Sequence, residues 1–253
     1  MRWLYALVVI LSSASAGLVS QRSNEGTQVV DENHTAANEL LTPEGRTVAF
    51  GARPIAVSVT QDGKLAWVKD SKGVRLIQIG TLKEVAQIAL PGGASLTGLV
   101  ALGNGQSALA TSAESELHLV KLQTDGKLVI EKSIKVVTAT GKGASFPCGI
   151  ATDQAQAKAY VCLSRHNAVV EVDLASAKVS RVFDVGVAPF ECVLDDKTLY
   201  VTCQGGPHPG SIQRTAPSAG TETSVDVRGV ANTGSVSVID LTAGQETASI
   251  RVG

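Results

Sequence analysis

Residues 144–161, ASFPCGIATDQAQAKAYV, decide the fold, because the chain writes this pattern more than once. Residues 51–68 read GARPIAVSVTQDGKLAWV, residues 94–111 read ASLTGLVALGNGQSALAT, and residues 187–202 read VAPFECVLDDKTLYVT. Pro54, Thr97, Pro147 and Pro189 take one equivalent place in the four segments, 43, 50 and 42 residues apart. Each segment opens with apolar residues alternating with small or polar ones. It then runs into a turn such as Asp62-Gly63 or Asn104-Gly105, residues that tolerate the left-handed backbone of a tight hairpin. A second apolar run follows: LAWV, SALAT, AYVCL or LYVTC.

Two more runs complete each unit. The third is VRLIQI, LHLVKL, AVVEVDL or SVSVIDL, and the fourth is EVAQIAL, LVIEKSIKV, VSRVFDV or TASIRV. Short turns between consecutive strands impose an antiparallel meander. Four short strands recurring at a period of about 40 to 50 residues signal propeller blades. The expected fold is all-β: a β-propeller of four-stranded antiparallel blades, about four of them, at residues 51–93, 94–143, 144–186 and 187–253.

The units resemble the YVTN-type (YncE-like) β-propeller repeat family. The residues that carry the resemblance are AYVCL, LYVTC, VEVDL, SVSVIDL, SRVFDVGVAP and ASIRVG. It spans residues 45–253, strongly in units three and four. Unit two departs from it, with Thr97 for the proline and ALATS for the YVTN core. The resemblance implies a ring of seven blades. More narrowly, residues 205–240, GGPHPGSIQRTAPSAGTETSVDVRGVANTGSVSVID, resemble an insert of bacterial propellers fused to a C-terminal phosphoesterase-like domain of the alkaline phosphatase superfamily. That implies an alternative role, as the propeller portion of a bifunctional protein whose catalytic domain lies outside this chain.

Residues 45–50, GRTVAF, precede GARP as SRVFDV precedes GVAP, so they read as a fourth strand whose three companions are not in the sequence. With four full units following, the expectation is an incomplete ring lacking C-terminal blades or a further domain. Repeats of this kind bury their apolar faces only by stacking. Self-association is the other way to cover the open faces.

The amino terminus has the layout of a secretory signal: Arg2, an apolar run from Trp3 to Leu11, and Ala14-Ser15-Ala16 before Gly17. Residues 1–16 are thus expected to be cleaved and residues 17–44 to form a flexible leader, placing the protein in the periplasm or outside the cell. The apolar run is far shorter than the roughly 20 residues of a membrane span. Asn33-His34-Thr35 matches a glycosylation sequon, a tripeptide common enough by chance to carry no weight. A net charge of −1 with 18% charged residues offers no basic stripe, which argues against nucleic acid. Cys148, Cys162, Cys192 and Cys203 lie in apolar runs without C-x-x-C spacing, so zinc-knuckle and haem-attachment readings fall away. They are either buried small apolar thiols or, in one pair, a bridge. For a bridge the LDDKTL hairpin favours Cys192 with Cys203, on one face.

A four-strand meander sends its second-to-third and fourth-to-first connections to one side of the disc. The irregular segments DSKG, SAESE, SRHN and 204–234 are all second-to-third connections. Unusual loops on one face of a rigid scaffold are where binding sits. The candidate residues there are Arg53, Arg165, His166, Glu191, His208 and Arg214, with the arginines as forked donors to carboxylate or phosphate. The expected occupant is a protein or a small anionic ligand. No G-x-S-x-G, H-E-x-x-H or Walker-type loop occurs, and no catalytic, metal or cofactor residue is assigned. Asp173 and Asp240, ending third strands, and Asp62, Asp153 and Asp195, at first-to-second turns, read as backbone acceptors. The sequence thus points to a non-enzymatic binding or scaffolding module.

Overall fold

The structure is a computed structural model that describes residues 45–252 apart from Ala219. The expected signal peptide (1–16), the expected leader (17–44) and the sequon lie outside the described residues. The chain divides into Met1–Thr47 and Val48–Gly253, and the blades belong to the second unit.

Four four-stranded antiparallel sheets form the blades. Blade one is β1 (Pro54–Val59), β2 (Leu65–Asp70), β3 (Gly73–Gln78) and β4 (Lys83–Ala89). Blade two is β5 (Ala94–Ala101), β6 (Ser107–Ser112), β7 (Glu116–Leu122) and β8 (Leu128–Lys135). Blade three is β9 (Pro147–Thr152), β10 (Lys158–Leu163), β11 (Ala168–Asp173) and β12 (Lys178–Asp184). Blade four is β13 (Val187–Asp195), β14 (Thr198–Gly206), β17 (Gly234–Asp240) and β18 (Gln245–Val252); between β14 and β17 comes a separate hairpin of β15 (Thr215–Ser218) and β16 (Thr221–Ser224).

The same bonds recur in every blade. A residue at or just past the end of the third strand, Ile79, Leu122, Leu174 or Leu241, donates its N–H to a carbonyl in the first turn: Lys64, Gln106, Ala157 or Lys197. On the other side, Ser71, Ala113 and Arg165 in the second-to-third loops donate to the carbonyls of Arg53, Gly93 and Ser145 at the blade entrances. That second set ties loops and entrances to one face, as the meander requires. First-to-second turns carry a left-handed residue at Gly63, Gly105, Gln156 and Asp196; Gln156 and Asp196 adopt it at the usual cost to a side chain. Asp62 and Asp153 accept backbone N–H bonds within these turns, and Asp173 and Asp240 do so after the third strands.

Strand alternation sends one set of side chains forward and the other back. Trp67, Val74 and Leu76 of blade one meet Leu99, Ala108 and Val120 of blade two in one core. Leu109, Leu117 and Ile134 meet Ile150, Val161 and Val170 in the second, and Tyr160, Cys162 and Phe183 meet Cys192, Leu199 and Val201 in the third. Consecutive first strands β1, β5, β9 and β13 contact one another, so they are the innermost. Among the described residues, two sheet faces have no blade against them. Val57 and Val59 in blade one are 62% and 53% exposed, and Val193 and Ile250 in blade four are 62% and 52% exposed.

Two sequence expectations are corrected here. Residues 45–50 form no strand. A strand needs a ladder partner, no strand among the described residues runs alongside, and the Phe50 ring lies 5.0 Å from the Arg75 guanidinium. Residues 204–234 are not simply irregular: Thr215–Ser218 and Thr221–Ser224 pair in register around a turn at Gly220, φ +87°. Threonine-rich segments flanking a glycine turn are good hairpin formers despite the polarity that makes them read as loop.

Candidate functional site

Where three blade entrances converge, a cleft of about 220 Å³ opens on the loop-bearing face. Leu96 comes from the entrance of blade two, Phe146 from that of blade three, and Val187 and Ala188 from that of blade four. Ser164 and Arg165 add the second-to-third loop of blade three, Gln204 and Gly205 the end of β14, and Ser218, Thr223 and Ala231 the insert. The insert is fixed over this wall: Thr223 Oγ1 donates to the Gly205 carbonyl at 3.0 Å, and Asn167 Nδ2 donates to Thr221 Oγ1 at 2.8 Å.

The cleft pairs a cation with an apolar wall. The Arg165 guanidinium carbon stands 5.1 Å from the Phe146 ring centroid, within cation–π range. No carboxylate among the described residues pairs with it, so its N–H edges are open to an acceptor. Phe146 (φ 50°) and Ala188 (φ 54°), immediately before Pro147 and Pro189, both hold left-handed backbone. That conformation costs a side-chain-bearing residue about 1–2 kcal/mol. Backbone strain of this kind concentrates at functional sites.

Next to the cleft, built from the inner strands β5, β9 and β13 and from β2 and β6 beside them, lies a buried polar cluster. Lys69 is fully buried, and its Nζ donates to Ser95 Oγ at 2.8 Å, Thr111 Oγ1 at 3.0 Å, the Gly98 carbonyl at 3.5 Å and the Thr97 carbonyl. Burial pushes the Lys69 ammonium down to about 7, opposed more weakly by Cys148 and Glu191. Burial likewise raises the Glu191 carboxyl, against hydrogen bonds from the Cys192 N–H, Thr97 and the Ile150 N–H. Gly98 and Gly149 let the strands close up here. A methyl on Gly98 (φ +82°) would overlap the Cys148 carbonyl, and one on Gly149 would come 2.6 Å from the Glu191 Cα.

The six sequence candidates do not form one constellation. Arg165 lines the cleft. Its neighbour His166 turns the other way, into a polar cleft of about 660 Å³ with Glu114, Glu116 and Lys135. There His166 Nδ1 accepts from the Thr138 N–H at 3.3 Å, while its Nε2 is buried without a partner. Glu191 belongs to the Lys69 cluster below. Arg53, in blade one, has its backbone N–H 3.4 Å from Ser71 Oγ. His208 Nε2 donates to the Val185 carbonyl at 2.8 Å, and Arg214 Nη1 donates to the Val227 carbonyl at 3.0 Å, so both pin the insert. Sequence reading missed Lys69, Phe146 and Ala188. For Lys69 a signal was present: in LAWVKD it shares the Trp67 face, the face an apolar strand buries.

All four thiols are free and buried. Cys192 and Cys203 share a face, but Cys192 sits opposite Val201 and Cys203 opposite Pro189, with a register shift between. Diagonal neighbours stand about 7–8 Å apart, beyond the usual disulfide span. Among the described residues no group of three His, Cys, Asp or Glu side chains is placed to hold a metal ion, and no helix is long and apolar enough to cross a membrane.

No family model and no curated protein matches the chain. Solved structures do match it in fold. Hydrazine synthase of Kuenenia stuttgartiensis aligns with a TM-score of 0.59 at 19% identity, over 83% of this chain and 53% of that one. A protein of unknown function from Desulfotomaculum acetoxidans aligns at 0.50 and 14%, over 84% and 74%, and a chain of a nidogen/laminin complex at 0.50 and 13%, over 78% and 63%. The present chain therefore spans about half of the hydrazine synthase chain. At these identities the likeness is one of fold: four blades of a β-propeller.

Proposed function

We propose that the protein is an exported, YVTN-type propeller that acts as a non-enzymatic binding module, and that its site is the cleft bounded by Leu96, Phe146, Arg165 and Ala188. The carrying observation is the Arg165 guanidinium, stacked on Phe146 and without an acidic partner, at a point where two residues hold strained backbone. A guanidinium against an aromatic wall suits an anion with a flat apolar body, the carboxylate meeting the N–H fork and the body meeting Leu96 and Phe146. Nidogen/laminin is a protein complex, which favours a protein side chain or terminus as the source of such a group. Further blades cover the open faces of blades one and four in the working assembly, since exposed valines and isoleucines there repeat the pattern buried at the three internal interfaces.

Calorimetric titration with benzoate tests the site. Loss of a charge-assisted hydrogen bond corresponds to roughly tenfold weaker binding or more, so Arg165→Ala is expected to lose that much, and Arg53→Ala, in blade one and outside the cleft lining, to change nothing. Absence of benzoate binding, or equal binding by Arg165→Ala, would overturn the proposal. The phosphoesterase-fusion reading is distinguished by the sequence encoded beyond residue 253, where a metal-binding hydrolase domain would follow further blades.

A further inference from the structure

The third inter-blade core contains a pair of thiols from different blades. Cys162 on β10 is fully buried and Cys192 on β13 is 5% exposed, both in the cluster that joins blades three and four. Cys192 Sγ donates to the Tyr160 carbonyl at 3.6 Å, two residues before Cys162 and on the same strand. Cys203, the hairpin alternative, is instead engaged by Ser237 at 3.6 Å. Cys148 is turned to the Phe146 carbonyl at 3.5 Å.

We propose that Cys162 and Cys192 form a disulfide that staples blade three to blade four when the chain folds in the presence of a small-molecule or protein disulfide. One thiolate attacks a sulfur of the oxidant and expels one of its thiols. The other thiolate then attacks the protein sulfur of that mixed disulfide and expels the second. Two protein thiols are oxidised, the oxidant disulfide is reduced to two thiols, and their protons pass to those thiols.

Timing follows from burial. The nucleophile is the thiolate, and in the folded core the Cys162 thiol is held well above its ordinary value by its hydrogen bond with Cys192 and by burial. The exchange therefore belongs to the chain before the blades close, and the reduced folded protein is inert to the same oxidant.

Trypsin separates the candidates, because the four cysteines fall on four peptides: 143–158, 159–165, 182–197 and 198–214. Chain synthesised in a cell-free system with oxidised glutathione is expected to yield peptide 159–165 joined to 182–197, two hydrogens lighter than the sum. Chain folded under reductant and then exposed to oxidised glutathione is expected to remain unjoined. A double variant, Cys148→Ala with Cys203→Ala, keeps only the proposed pair and should still cross-link. Four free thiols after oxidative synthesis, or a dominant link between 182–197 and 198–214 or to 143–158, would overturn the assignment. The wild-type peptide map decides this even if the double variant fails to fold.

Discussion

Lys69 makes this protein's stability depend on pH in an uncommon direction. Its folded value of about 7 lies below the 10.5 of an ordinary lysine, because burial disfavours the ammonium more than the nearby acidic groups favour it. Below pH 7 both folded and unfolded chains carry the proton, and Lys69 contributes no slope. Between 7 and 10.5 the unfolded chain holds one more proton than the folded chain, so stability rises with pH. At 1.36 kcal/mol per unit, less the half-titration at the start, the gain from pH 7 to 9 is about 2 kcal/mol. Near pH 9 this gain is opposed by the Cys148, Cys162 and Cys203 thiols, all held above their ordinary 9 in the folded chain, so the Lys69 contribution is read as the difference between wild type and Lys69→Met. Burial raises the Cys148 thiol from 9 to about 11 and the Tyr160 hydroxyl from 10 to about 12, and the stability these contribute is lost only as pH rises past their ordinary values. Urea unfolding under reductant at constant ionic strength, at pH 7, 8 and 9, measures the slope. Lys69→Met fills similar space, and Ser95 and Thr111, 2.7 Å apart, still bond one another. The variant is expected to show no rise. An equal slope in wild type and Lys69→Met would refute the reasoning.

Other expectations follow from the same geometry. Glu171, 1% exposed, receives hydrogen bonds from Arg181 Nε at 3.0 Å, Ser180 Oγ at 2.7 Å, Lys158 Nζ at 3.0 Å and Tyr160 Oη at 3.1 Å. Burial alone would raise its carboxyl, but the bonds from Arg181, Ser180 and Lys158 outweigh it and hold it at about 2. The stability it contributes is present above the ordinary 4.5 and is lost as pH falls through about 2. With Lys158 and Arg181 partly screened by water, Glu171→Gln should cost about 2 kcal/mol in neutral urea titrations; no loss would count against the network. Gly98→Ala should cost about 3 kcal/mol by thermal melting, because the methyl meets a backbone carbonyl and left-handed φ together; a neutral effect would mean that β5 and β9 are further apart. Light scattering on the purified chain should show association growing with concentration through the open faces, reduced by Val193→Lys. A monodisperse monomer with cooperative melting would contradict it.

The blades were legible in the sequence because period-two alternation and left-handed turn residues are local signals, repeated four times. Asp62-Gly63 and Asn104-Gly105 mark their hairpins without any tertiary information. Residues 45–50 carry a strand's wording, but the three companions expected for them are not in this sequence, so no ladder forms around them here. The site was only partly legible. Arg165 could be placed on the loop-bearing face by counting strands, but its stacking on Phe146 depends on the left-handed backbone of a bulky residue, which no propensity announces. Lys69 meets its partners 26 to 42 residues further along the chain, in another repeat. His208 and Arg214 look like ligand-binding residues by type, yet both satisfy backbone carbonyls. Arginine and histidine on a long insert serve to fix it as readily as to bind.

Amide chemical-shift mapping during a benzoate titration tests the central claim most directly. The account predicts perturbations confined to the cleft, at Leu96, Phe146, Arg165, Ala188, Gly205 and Thr223, and abolished by Arg165→Ala. Shifts centred on Arg53 or on the polar cleft beside His166, with the Phe146 region unmoved, would contradict it.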